Sequence, residues 1–133
     1  MHTNTLEAIY RDYIRCLNER RLDEMPTFYP DELTHNGERM TRARWRAEAI
    51  EATFEAMPDF QWNIQRLLIQ GDELAARLVD TGTLAREWRG LHPTGASVHF
   101  AENVFYRFRD GRIHEVWSVI DFEAIQRQLM RRD

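Results

Sequence analysis

Three acids stand in the last apolar stretches of the chain: Glu102 in "AENVFY", Glu115 in "RIHEVW" and Asp121 in "WSVID". Between the two alternating runs lies "RDGR", whose Asp110-Gly111 pair predicts a hairpin with Arg109 facing Arg112. Counting back from that turn pairs Phe108 with Ile113, Tyr106 with Glu115, Val104 with Trp117, Glu102 with Val119 and Phe100 with Asp121, all on one face. A carboxyl in such apolar company must be paired, protonated or functional. In this register Glu102 and Asp121 are diagonal neighbours with Cα atoms roughly 7 to 8 Å apart. Each would raise the other's pKa in a poorly hydrated cavity, which makes the pair a candidate for moving protons. A β-bulge in either strand would change the register.

Asp121 has a second reading, because a helical pattern follows it at once and Asp is among the best N-cap residues. A carboxylate bonded to helix amides is stabilised in its charged form and is a weak base, so capping and catalysis pull apart. In the preceding hairpin, turning at Gly71-Asp72, Arg66 falls opposite Arg77, Ile64 opposite Val79 and Trp62 opposite Thr81. The two arginines either flank the Glu102 and Asp121 region as counter-charges or reach to solvent. His2, His35, His92, His99 and His114 show no metal-ligand spacing, "RGLHPTG" does not open a helix after a strand, and no serine sits in a nucleophile elbow. Whatever chemistry exists must use carboxylates, histidine and tyrosine, with no metal and no evident cofactor.

The elements that would position these groups follow from periodicity. Leu6, Ile9, Tyr10, Tyr13, Ile14 and Leu17 recur at helical spacing, with Asn4 or Thr5 as the cap. "LDEMPTFYP" reads as a short helix ended by Pro30, and "ELTHNGER" as a brief strand entering an Asn-Gly turn. Thr41 caps a further helix whose inward face reads Ala43, Ala47, Ile50, Phe54 and Met57. Alternation then predicts strands over Phe60–Gln70, Glu73–Ala85, Ser97–Arg109 and Arg112–Asp121, and Phe122, Ile125 and Leu129 face inward from a closing helix. "REWRGLHPTGAS" has no period and reads as a long loop. Helices first and an antiparallel sheet afterwards imply an α+β domain with helices across a curved sheet, enclosing a pocket.

At 133 residues, with no repeat and no linker composition, the chain reads as one domain over residues 1–133. Its formal net charge of -4 argues against nucleic acid. The basic clusters "TRARWR" and "RQLMRRD" read as solvated helix faces. Cys16, the single cysteine, sits in an apolar helical stripe and reads as a small hydrophobe. No apolar stretch is long enough to span a bilayer, and "MHTNTLEAIYRDY" lacks a signal-peptide core, so a cytoplasmic location is expected.

In order and spacing, "PDFQ", "GDELAARLVDTGT", "LHPTG", "ENVFYRFRDGRIHEVWSVID" and "QRQL" resemble the SnoaL-like polyketide cyclases, the ester cyclase group of the NTF2-like superfamily. The resemblance implies a cone-shaped α+β barrel, a homodimer formed through the sheet, and a mostly apolar cavity. It further implies that an aspartate at the end of the last strand, here Asp121, is the acid/base of an intramolecular aldol closure. Glu102 would be a second acid/base and His35 a polar group at the cavity mouth. Tyr13, Trp62, Arg77, Trp88, Phe100 and Trp117 would contact a small apolar or aromatic carbonyl ligand. The competing expectation is a non-catalytic binding or dimerisation module of the same fold.

Overall fold

The computed structural model describes residues 5–130. Helix α1 (Thr5–Asn18) buries Tyr10, Tyr13, Ile14, Cys16 and Leu17, the stripe expected from spacing. Asn4, the alternative cap, lies outside the described residues. A 3₁₀ turn (Leu22–Glu24) and the short α2 (Met25–Phe28) lead to the hairpin of β1 (Glu32–His35) and β2 (Glu38–Thr41). Asn36 and Gly37 form its turn, with φ of 49° and 86°.

Thr41 caps the next helix as expected, its Oγ1 accepting from the Arg44 amide at 3.1 Å. That helix runs through α3 (Arg42–Trp45), a π-helical turn (Arg46–Glu51) and α4 (Ala52–Ala56). The wider turn advances the phase, since i→i+5 bonding inserts a residue into the 3.6 repeat. Trp45, Ile50, Thr53 and Ala56 are therefore buried, and the expected inward residues Ala43 and Ala47 are exposed.

Four long strands complete the sheet: β3 (Gln61–Gln70), β4 (Glu73–Thr83), β5 (Ser97–Arg109) and β6 (Arg112–Ile120). The order is β2-β1-β6-β5-β4-β3, antiparallel except that β1 runs parallel to β6. The sheet is curved and unclosed, the α+β architecture expected, and α5 (Phe122–Met130) packs on β5. Among the described residues no helix is long and apolar enough to cross a membrane.

The β3–β4 and β5–β6 hairpins carry one bulge each, and the two bulges correct the expected pairings. The Asp110-Gly111 turn sets Arg109 against Arg112 and Phe108 against Ile113 as counted, but His114 is then extra, so Arg107 meets Glu115 and Tyr106 meets Val116. From there Val104 faces Ser118 and Glu102 faces Ile120, while the Asp121 amide donates to the Ala101 carbonyl at 3.0 Å. One residue of slip turns the strand over. Glu115, Trp117, Val119 and Asp121 are thereby placed on the face opposite Glu102. In the other hairpin Arg66 does face Arg77, then Gln65 bulges, so that Ile64 meets Leu78 and Trp62 meets Asp80.

Candidate functional site

The concave face of the sheet and the helices enclose a cavity of about 70 Å³. Phe60, Trp62, Trp88, Phe100, Leu78 and Val104 supply apolar wall, and Asp80, Glu102, His35, Tyr13, Tyr106 and Ser118 supply polar groups. The site contains a diagonal carboxyl pair, but its members are Asp80 and Glu102. Leu78 faces Glu102 across β4 and β5, which sets Asp80 one inward step further along β4.

Asp80 is 1% exposed, and among the described residues neither of its oxygens has a hydrogen-bond partner. Burial pushes its pKa far above the usual carboxylate range, and the neighbouring Glu102 carboxyl raises it further. The stable arrangement is a neutral Asp80 beside the Glu102 carboxyl. Two carboxylates this close in an apolar wall share a proton because both cannot ionise cheaply.

Tyr13 and Tyr106 line the cavity, and each pairs with a further buried tyrosine. The Tyr10 and Tyr106 hydroxyls lie 3.0 Å apart and those of Tyr13 and Tyr29 2.6 Å apart. Burial holds all four above the ordinary tyrosine range, so they remain neutral donors. The buried Trp45 indole N–H lies near the Tyr13 and Tyr29 hydroxyls yet has no acceptor in hydrogen-bonding geometry.

His35 is fixed from two sides. Its Nε2 is 2.9 Å from Ser118 Oγ, and its ring centroid lies 4.7 Å from that of Trp45. The Asn36 side chain clamps the turn to β6, accepting from the Ser118 amide at 2.8 Å and donating to the Ser118 carbonyl at 3.2 Å. Burial, aided by the positive charge of Arg89, lowers the His35 pKa and favours the neutral imidazole.

Of the residues singled out from sequence, Glu102, His35, Tyr13, Trp62, Trp88 and Phe100 all line this cavity. Asp121, Arg77 and Trp117 do not. Asp121 is exposed and caps α5, its Oδ1 accepting from the Ala124 amide at 3.0 Å. Arg77 lies on the outer face, donating to Gln65 Oε1 at 2.7 Å and Asn103 Oδ1 at 3.4 Å, and Trp117 is 49% exposed there. Asp80, Tyr106, Trp45, Ser118 and Arg89 also line the cavity and were not among the site residues expected from the sequence. For Asp80 the signal was present: Leu74, Ala76, Leu78, Asp80, Gly82 and Leu84 form an unbroken alternation, in which Asp80 is the one charged inward member.

The chain is similar over nearly its whole length to solved structures. A SnoaL-like polyketide cyclase from Agrobacterium tumefaciens C58 is 36% identical, with 97% of this chain and 99% of that one covered and a TM-score of 0.88. IdmH from Streptomyces antibioticus is 24% identical over 93% of this chain and 97% of its own, with a TM-score of 0.83. AclR from Streptomyces galilaeus is 25% identical over 93% and 94%, with a TM-score of 0.78. No curated protein sequence matches. The family profile for SnoaL-like polyketide cyclases matches residues 7–129, and with that span and the shared fold the chain belongs to the SnoaL-like polyketide cyclase family.

Proposed function

We propose that the protein is a cofactor-independent acid/base enzyme of cyclase or isomerase type, acting on a small carbonyl compound through Glu102 and Asp80. The observation that carries this reading is a carboxyl pair in an otherwise aromatic cavity: Asp80 is buried with no donor among the described residues, and the half-buried Glu102 is its diagonal neighbour. Glu102 removes a proton from carbon beside the substrate carbonyl. The C–H electron pair moves onto the carbonyl oxygen, and the neutral Asp80 O–H, with the tyrosine and Trp45 donors, stabilises the enolate. Attack of the enolate carbon on a second carbonyl of the same molecule closes a ring, and Glu102 returns its proton to the new alkoxide; return of the proton at another carbon instead gives an isomer. His35, neutral and held by Ser118, positions the substrate at the mouth.

The protein acts as a homodimer in this proposal, formed through the outer face of the sheet. Cross-strand pairing aligns Leu68, Ala75, Phe105 and Trp117 in one row there, and Leu68, Phe105 and Trp117 are 59%, 62% and 49% exposed.

A thermal-shift screen of aromatic and alicyclic ketones and esters, followed by product analysis, tests the catalytic reading. Ligands that stabilise wild type, Glu102→Gln and Asp80→Asn alike, with conversion by wild type alone, support it. Ligands that bind and are never converted would instead favour the non-catalytic binding module.

A further inference from the structure

Buried Trp88 and Leu91 exchange backbone hydrogen bonds of 2.9 and 2.8 Å. They close a two-residue turn whose central residues, Arg89 and Gly90, have φ of 51° and 82°. Two consecutive left-handed residues make a type I′ turn, which favours Asn, Asp or Gly at both positions. Gly90 meets that demand and Arg89 does not. Strain of this kind persists where the surroundings impose it, and it gathers at ligand sites.

The surroundings of Arg89 give the reason for its presence. The turn sits on the cavity rim and Arg89 lines the cavity. Its guanidinium carbon is 5.0 Å from the Trp88 ring centroid and 5.9 Å from that of Phe122. Among the described residues it forms no ion pair and no hydrogen bond, and Glu87, two positions away, is engaged with His92 at 3.5 Å. A guanidinium held against aromatic rings keeps its N–H fork free for a planar anion.

We propose that Arg89 recognises an anion and that the ligand of this cavity is an organic acid, its carboxylate on the guanidinium at the mouth and its enolisable carbon toward Glu102. The proposal rests on the acid/base reading above and narrows it from neutral carbonyl compounds to carboxylate-bearing ones. The charge distribution fixes the orientation: the Glu102 carboxylate repels an anion, while the guanidinium at the rim attracts it.

Calorimetric titration with phenylpyruvate and its methyl ester, on wild type, Arg89→Asn and Arg89→Lys, tests this. Wild type is expected to bind the acid at least ten-fold more tightly than the ester, with the preference shrinking as salt rises. Arg89→Asn should erase the preference while melting at the same or a higher temperature, because Asn accepts positive φ. Arg89→Lys should retain part of it. An acid that binds no better than its ester, or a preference that survives Arg89→Asn, would overturn the proposal. A lower melting temperature in Arg89→Asn with equal loss of acid and ester would likewise assign Arg89 a structural role. Solvent deuterium uptake at the benzylic carbon separates the two readings. Arg89-dependent binding without uptake refutes the acid/base chemistry alone, and equal uptake by ester and acid refutes anion recognition alone.

Discussion

Asp80 keeps its proton because burial strips its carboxylate of water, and the neighbouring Glu102 adds to that cost, with no donor among the described residues to offset it. In the unfolded chain the same group ionises near pH 4, so from there up through the neutral range the folded state holds the extra proton. Stability associated with Asp80 is therefore fully present in acid and is lost progressively as pH rises. Asp80→Asn preserves shape and a donor while removing that linkage. Its melting temperature should exceed wild type by a margin that widens between pH 5 and pH 9, and a margin that narrows would contradict the protonation assigned to Asp80. His35 works in the other sense. Its pKa is lowered on folding, so its contribution is present above the unfolded histidine pKa and is lost as pH falls below about 6.5. His35→Gln should flatten that acid-side loss, and a titration by NMR should place the His35 midpoint below that of an exposed histidine.

At the scale of elements, two single-residue bulges decide which side chains enter the cavity. Gln65 turns Trp62 and Ile64 toward Leu78 and Asp80, and His114 turns Ser118 and Ile120 inward while sending Asp121 out to cap α5. Asp121→Ala should cost about 1 kcal/mol by denaturant unfolding, the usual effect of losing an N-cap, and leave ligand binding in the cavity intact. Strand positions, turns and the α1 stripe were legible because alternation, Asp-Gly and helical spacing are local signals. Bulges are not local: nothing in "RLLIQ" or "RIHEVW" marks Gln65 or His114 as unpaired, since the extra residue is set by curvature and packing across the sheet. Glu102 and His35 were legible as polar groups within apolar strands, whereas Asp80 was masked by counting its hairpin without the bulge. The π turn similarly hid Trp45, which helical spacing from Thr41 does not bring inward with Ala43 and Ala47.

On the whole molecule, the two faces of the sheet are divided by these same alternations. The concave face holds the carboxyl pair, and the outer face presents Leu68, Phe105, Trp117 and Val119, the last 72% exposed. In the proposed dimer this row of large apolar groups on the outer face of the sheet is the association surface. Phe105→Glu combined with Val119→Glu should shift the protein from dimer to monomer in sedimentation velocity; a wild type that sediments as a monomer would contradict the proposed assembly.

The most direct test of the account is deuterium incorporation from solvent at the enolisable carbon of phenylpyruvate, followed by NMR with wild type, Glu102→Gln and Asp121→Asn. The account predicts uptake catalysed by wild type and Asp121→Asn at comparable rates, and a loss of roughly 10²- to 10⁴-fold in Glu102→Gln. Uptake that survives Glu102→Gln and disappears with Asp121→Asn would move the chemistry out of the cavity pair and back to the end of the last strand.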